Sequence, residues 1–281
     1  MTMSKRSRLA RIVVALTASL LAPVASSQLL YTNGTLSSGP TAENGTAAPA
    51  GTNWSEIQHD AGNTTEANSS GGFADSVTAS GQFRLADDFT VPAGTNWTLT
   101  GIYVYTYKTG APATPSPFTA STLEIWSGRP GDAGSTVLCG NTTTNVLVGS
   151  TDTNLYRIFN SAVPPPGSAP GTTRKIWRNQ LSIPAACAGT DFFTAGSTYW
   201  ISWDTTDSSA GAHFAPSNVI LGARSAPTDN ARQLTVASAT WADVIDAGTP
   251  ATAPDVFQDF PFQLLGTATV PDRLFANGFE P

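Results

Sequence analysis

The chain has 281 residues, of which 12% are charged, and it carries a net charge of −6 at pH 7. An acidic chain with few lysines and arginines is a poor binder of nucleic acids and of anionic membranes, so neither is expected as a partner. The length suits one large domain, because an all-β domain can reach this size as a single unit.

The first 27 residues have the three-part layout of a secretory signal peptide. Four basic residues precede an apolar run at 12–21, which Pro23 and the small residues at 25–27 follow. The run is too short to span a bilayer comfortably, and no later stretch is long and apolar enough to do so. Removing residues 1–27 leaves ten basic and twenty acidic residues, a net charge of −10. We therefore expect a secreted protein, extracellular or on the outer surface, with no membrane span in the mature chain.

The clearest strand pattern lies at 82–108. Apolar and polar residues alternate over 83–90, and turn-forming residues follow at 92–96. From Leu99 to Lys108, β-branched residues alternate with a second set that contains three tyrosines. Successive side chains of a strand point to opposite faces, so this set, from Leu99 to Tyr107, should form one face. The pattern predicts a core hairpin.

Further short strands are expected along the rest of the chain, separated by turns rich in glycine and proline. The candidates are 28–32, 54–58, 118–127, 135–139, 145–148, 154–160, 172–183, 197–204, 231–236, 241–245 and 257–265. This pattern predicts an all-β fold, a single antiparallel β-sandwich of jelly-roll type. The expected organisation is a signal peptide at 1–27, the sandwich at 28–266, and a linker with a C-terminal tail at 267–281.

Two cysteines, Cys139 and Cys187, lie in the mature chain. In an oxidising compartment the simplest interpretation is one disulfide, worth up to about 4 kcal/mol in the loop-entropy model. Two free thiols, or half of a metal site, are the alternatives. They are less favoured because His59 and His213 show no ligand spacing near the cysteines.

Aromatic residues form the candidate binding surface. Tyr103, Tyr105 and Tyr107 share one strand face, and Glu124 and Trp126 share a face of a neighbouring strand. Flat aromatic faces with hydrogen-bonding groups beside them can stack on sugars, so these five residues are the predicted ligand site. The alternative is that the aromatic side chains fill the second face of a sandwich or cover its core.

The acidic pair Asp87 and Asp88 could supply ligands to a structural calcium ion, the only cofactor that the sequence suggests. The alternative is that one carboxylate is solvated while the other accepts backbone N–H bonds at a bulge or turn.

No catalytic residue is predicted. The chain has no Gly-x-Ser-x-Gly, His-Glu-x-x-His or Cys-x-x-Cys motif. A serine–histidine–aspartate triad would have to use His59 or His213, and only geometry could identify it. A glycoside hydrolase needs two carboxylates at a defined separation, and Glu124 is the one glutamate within a well-defined strand.

Several runs are similar to known sequences. LYTNG at 30–34, LADDF at 85–89, the tyrosine-rich strand and IWSGRPG at 125–131 together resemble a group of secreted bacterial β-sandwich proteins of uncharacterised function. This resemblance covers most of 29–265 and implies a fold and no activity. DRLFANGFE at 272–280 is similar to a short C-terminal tail of exported proteins in some Gram-negative bacteria, where a sorting or maturation tag is one interpretation.

These observations lead to three hypotheses. The first is a secreted, non-catalytic extracellular or surface-associated module with an adhesive or structural role. The second is a carbohydrate-binding module that uses an aromatic strand face, with an extracellular glycan or cell-surface component as its partner. The third is a glycoside hydrolase with an unrecognised pair of carboxylates.

Overall fold

A computed structural model describes residues 27–76, 82–209 and 211–271. Within these ranges the chain forms sixteen strands and two short 3₁₀ helices, Ala185–Cys187 and Val236–Ser238. The strands are β1 Gln28–Asn33, β2 Asn53–Ile57, β3 Phe73–Ala74, β4 Phe83–Thr90, β5 Asn96–Tyr107, β6 Phe118–Trp126, β7 Val137–Asn141, β8 Leu147–Phe159, β9 Lys175–Leu181, β10 Thr198–Asp207, β11 Phe214–Ala215, β12 Arg232–Thr235, β13 Thr240–Asp243, β14 Ile245–Asp246, β15 Val256–Phe257 and β16 Phe262–Thr269.

The strands form two main sheets. The first has the order β1-β16-β5-β9-β8-β2, with the short β3 and β11 added beside β5. The second has the order β13-β12-β4-β10-β6-β7, and β14 and β15 pair separately. Strand pairs are antiparallel except for β2 and β8, which run parallel. The predicted all-β sandwich is therefore confirmed, with the first sheet mixed but mostly antiparallel.

The main core lies between the two sheets. Alternate residues of the central strands point inward and are almost completely buried, and each contributes about 1.5–3 kcal/mol by leaving water. They include Leu85, Phe89, Ile102, Val104, Leu123, Ile125, Ile201, Trp203, Phe262 and Leu264.

The predicted hairpin at 82–108 is wrong. Strand β4 pairs with β10 and β12 in the second sheet, whereas β5 pairs with β16 and β9 in the first. The turn between β4 and β5 therefore carries the chain from one sheet to the other. Phe89 and Trp97 on its two sides stack inside the sandwich with ring centroids 6.2 Å apart. One face of each strand is buried both in a hairpin and in a connection between two sheets. The alternation of apolar and polar residues is therefore compatible with both arrangements.

A bulge in β5 changes which residues share a face. Leu265 pairs with Gly101 and Gly266 pairs with Leu99, so Thr100 has no partner across the strand pair. Leu99 and Ile102 consequently both face the core, and Leu99 does not share the face of Tyr103 as predicted. Gly266 suits this bulge, because a Cβ there would lie 2.1 Å from the Thr98 carbonyl oxygen.

The predicted disulfide is confirmed. Cys139 in β7 and Cys187 in the first 3₁₀ helix are joined, with their Cα atoms 6.0 Å apart. Both are buried in the main core. The bond ties the β7 edge of the second sheet to the segment that leaves β9 of the first sheet, so it links the two layers.

The predicted signal peptide and C-terminal tail lie almost entirely outside the described residues. Among the residues that are described, no helix is long and apolar enough to cross a membrane.

Candidate ligand-binding cleft

The five predicted binding residues do not form one surface. Tyr103 and Tyr105 alternate with core residues of β5, so they point to the outer face of the first sheet, as does Tyr107. Glu124 and Trp126 alternate with core residues of β6 and point to the outer face of the second sheet. Stacked sheets lie about 10 Å apart, so the sandwich separates the two groups.

The second-sheet face is occupied by its own contacts. Arg84, 2% exposed, forms ion pairs with Asp204 and, at 3.8 Å, with Glu124. Burial raises the pKa of Glu124, and the Arg84 guanidinium opposes that shift. Trp126 packs edge-to-face on Trp241, with ring centroids 6.2 Å apart. Glu124 and Trp126 are therefore each in contact with neighbours on their own sheet.

The three tyrosines also have different environments. Tyr107 is 3% exposed and stacks on Phe214 at 5.8 Å, and burial raises its pKa to about 12. Tyr105 packs with Ile176 in the same small cluster. Tyr103 is partly exposed, and Arg178 covers its ring. The alternative prediction, that the tyrosines serve as packing, therefore describes Tyr107 and most of the Tyr105 side chain, which is 8% exposed.

A cleft of about 560 Å³ lies on this outer face of the first sheet. Its floor contains Tyr105, Arg178 and Gln263, which come from the neighbouring strands β5, β9 and β16. One wall is the segment 32–37, and the opposite wall is formed by lining residues at 152–155 of β8. Its volume lies within the range of small-molecule sites.

The wall at 32–37 is held in place by specific contacts. The Asn33 side-chain amide donates to the Asp87 carboxylate at 2.9 Å and to the Phe260 carbonyl at 3.0 Å. Gly34 has a positive φ of 63°, and a Cβ there would lie 2.1 Å from the side chain of Asn218. The wall therefore depends on a residue without a side chain and on a buried carboxylate.

Asp87 acts as a hydrogen-bond acceptor at this wall. Its Oδ2 accepts the Asn33 amide and the Phe260 backbone N–H, and its Oδ1 accepts the Asp88 backbone N–H at 2.9 Å. Burial raises the pKa of Asp87 well above its ordinary value. The described residues contain no group of three or more acidic, histidine or cysteine side chains arranged to hold a metal. Calcium at Asp87 and Asp88 stays a prediction, and the ion would have to displace these donors.

Arg178 is the most distinctive group in the cleft. Its guanidinium lies 4.3 Å from the centroid of the Tyr103 ring. Among the described residues, no side-chain hydrogen bond or ion pair joins the Arg178 guanidinium to another residue, and Asp152, which lines the same cleft, pairs with Lys175. The other described arginines each donate a hydrogen bond: Arg84, Arg129, Arg157, Arg174, Arg224 and Arg232.

Sequence reasoning missed Arg178 and Gln263. Arg178 lies in the predicted strand at 172–183, but its position opposite Tyr105 follows only from the pairing of β9 with β5. Gln263 likewise lies opposite Tyr103 through the pairing of β16 with β5. Each partner is distant in sequence, so no local pattern brings them together.

A second cleft, of about 550 Å³, lies on the other side of the 33–37 wall. Asp229 and Asp259 line it. Burial raises the pKa of Asp229, and burial together with neighbouring carboxylates raises that of Asp259 to about 7. The glycoside hydrolase hypothesis needs two carboxyl groups at a defined separation, and it stays a prediction.

Neither histidine is hydrogen-bonded to a serine within the described residues. His59 bonds to Glu43 at 2.9 Å. His213 is fully buried, and its Nε2 lies 2.9 Å from the Thr205 carbonyl oxygen. Both histidines therefore have structural partners.

Comparison of the sequence with protein-family models gave no match, and neither the curated proteins nor the solved structures contained a match. The resemblance drawn from the short runs at 30–34, 85–89 and 125–131 therefore stays a prediction, and the cleft itself is the basis for a functional proposal.

Proposed function

We propose that the chain is an exported, non-catalytic β-sandwich module that binds an extracellular glycan in the cleft of the first sheet. The observation that carries this proposal is the composition of the cleft floor. Tyr105 supplies an aromatic surface, and Arg178 and Gln263 supply hydrogen-bond donors beside it. Sugars have apolar ring faces and many hydroxyl groups, so recognition needs both kinds of group.

The charged groups of the cleft favour binding over hydrolysis. Asp152 is the one carboxylate among the lining residues, and it forms an ion pair with Lys175. Glycoside hydrolysis by the usual route uses two carboxyl groups that flank the bond. A paired carboxylate beside an arginine suits ligand recognition better than acid–base chemistry.

Two further features support an extracellular setting. The predicted signal peptide directs export. Disulfides such as Cys139–Cys187 persist in oxidising compartments and are rare in the cytosol. Together they favour a ligand that is met outside the cell, such as a surface or matrix polysaccharide.

A glycan array probed with the full exported chain tests the proposal. Ligands found on the array are then titrated calorimetrically against Arg178→Ala and Tyr105→Phe in the cleft, and against Trp126→Ala on the opposite face as a control. We expect Arg178→Ala to weaken binding about tenfold or more, equivalent to about 1.4 kcal/mol, and Trp126→Ala to leave it nearly unchanged. Absence of any glycan ligand, or loss of binding only in Trp126→Ala, would show that the cleft is not a glycan site.

A further inference from the structure

The charge arrangement in the cleft points to the chemistry of its ligand. The Arg178 guanidinium is partly buried on the outer face of the first sheet, and Tyr103 supports it from below. Stacking on a flat ring fixes the plane of the guanidinium and leaves its N–H edge free to bind. The guanidinium N–H groups of Arg178 thus have no acceptor among the described side chains.

The nearest acidic group does not neutralise this cation. Asp152 lies on the cleft wall, but its carboxylate is bound by Lys175, whose ammonium also lies 5.8 Å from the centroid of the Tyr156 ring. The positive charge of Lys175 and the negative charge of Asp152 cancel each other, so the net charge at the cleft is the positive charge of Arg178. A cation of this kind is unusual in a mature chain with a net charge of −10.

We infer that the ligand is an acidic glycan whose sugar carries a carboxylate, as in uronic acids, and that Arg178 binds this carboxylate in a bidentate manner. The inference rests on the proposed glycan-binding function of the same cleft. A planar carboxylate matches the two parallel N–H groups of the guanidinium fork, and such bonds are charge-assisted. Gln263 and Tyr105 line the same floor, and their side-chain amide and hydroxyl are groups that would hydrogen-bond the hydroxyl groups of the sugar ring.

The competing explanation is that Arg178 only covers the Tyr103 ring. In that case the charge would stabilise the fold through the cation–π contact and would not select ligands. The two explanations differ in their response to lysine, which keeps the positive charge but has no planar fork. Arg178→Lys should therefore lose most of the preference for a carboxylate if the fork is the recognition element.

The experiment measures affinities of the full exported chain for uronate oligosaccharides built from galacturonate, glucuronate, mannuronate or guluronate. Each is compared with its methyl ester, in which the carboxylate is neutral and the rest of the sugar is kept, and with sulfated oligosaccharides that lack carboxylates. The variants are Arg178→Gln and Arg178→Lys. Arg174→Gln serves as the matched control, because Arg174 bonds to Thr109 at 3.3 Å and is not among the residues lining the cleft. Thermal unfolding of each variant verifies that the fold is retained.

We expect at least one uronate oligosaccharide to bind, its methyl ester to bind about tenfold more weakly or worse, and Arg178→Gln to abolish this difference. Arg174→Gln should bind like the parent chain. Equal affinity for acid and ester, stronger binding of the sulfated probes, or an unchanged acid preference in Arg178→Gln would overturn the inference. If only neutral glycans bind, and cleft variants lose that binding, the proposed glycan-binding function stands and the inference of an acidic ligand is wrong. If no glycan binds, both the proposed function and the inference are wrong.

Discussion

Replacing Asp259 with asparagine should stabilise the domain at neutral and alkaline pH. Asp259 accepts the backbone N–H groups of Asn230 at 2.7 Å and Ala231 at 3.2 Å. Burial, together with the nearby carboxylates of Asp229 and Asp88, raises its pKa to about 7. The folded state therefore holds a proton on Asp259 that the unfolded chain releases at much lower pH.

The sign of the effect follows from this difference. Because the folded pKa is about 7 and the ordinary pKa of an aspartate is 3.8, the stabilisation is complete below about pH 4 and is lost as the pH rises through 7. A difference of about three pKa units corresponds to at most about 4 kcal/mol. Asp259 is partly exposed and interacts electrostatically with Asp229, so we expect about half of this, near 2 kcal/mol. Asparagine keeps the acceptor oxygen for both N–H groups and adds a donor toward Asp229.

Urea unfolding followed by tryptophan fluorescence between about pH 5 and pH 8 measures this effect. Asp259→Asn should be more stable than the parent chain by about 2 kcal/mol at pH 8 and should show a smaller loss of stability as the pH rises. Asp255→Asn is the matched control, since Asp255 is exposed at the surface. An unchanged pH dependence in Asp259→Asn, or lower stability than the parent at pH 8, would refute the reasoning.

Three further predictions concern the stability of the domain that carries the cleft. Gly34→Ala should lower the free energy of unfolding in urea by about 1–3 kcal/mol and weaken glycan binding, because Gly34 has a positive φ and an added Cβ would meet the Asn218 side chain. Gly45 also has a positive φ, but no atom lies within 4 Å of an added Cβ. Gly45→Ala is therefore the control and should show only the cost of the backbone conformation. Arg84→Ala should cost about 3–5 kcal/mol in the same assay, because it leaves the Asp204 carboxylate buried without its cation. Cys187→Ser should cost about 2–4 kcal/mol, compared by thermal unfolding with the parent chain before and after reduction.

Most of the longer strands and the disulfide were predictable from the sequence, whereas strand pairing was not. The predicted strands 145–148 and 154–160 belong to one strand, β8, the predicted strand 257–265 is divided between β15 and β16, and the two-residue strands β3 and β11 were missed. Alternation reports which face of a strand is buried, and it identified both β4 and β5. It contains no information on which strand supplies the backbone hydrogen bonds. β5 pairs with β16 near the end of the described chain, and β4 pairs with β10 more than a hundred residues later. The hairpin was therefore the simplest interpretation of local pattern, and the choice between sheets is made by distant segments.

The position of the candidate site was also not predictable from local sequence patterns. Tyrosines on β5 were singled out for their chemistry, but an aromatic residue at a strand position can face a core, a second layer or a cleft. Tyr105 lines a cleft because the segment 32–37 lies across one side of it and β8 residues lie across the other. The bond from Asn33 to Asp87 places that wall, and it joins residues 54 positions apart. Aromatic residues in the sequence suggest a binding site, but only tertiary contacts decide which aromatic residue lines a cleft.

The treatment of charge across the domain strengthens the case for the cleft. The fully buried arginines of the described chain are ion-paired or hydrogen-bonded: Arg84 pairs with Asp204, Arg224 pairs with Asp246, and Arg157 donates to three oxygens. This agrees with the high cost of leaving a charged donor without a partner away from water. Arg178 departs from that pattern at a position where a cavity, an aromatic support and hydrogen-bonding neighbours coincide. A lone surface arginine on a flat sheet would need no explanation, whereas an arginine that lies over a tyrosine ring and lines a cleft suits the anionic ligand that we propose.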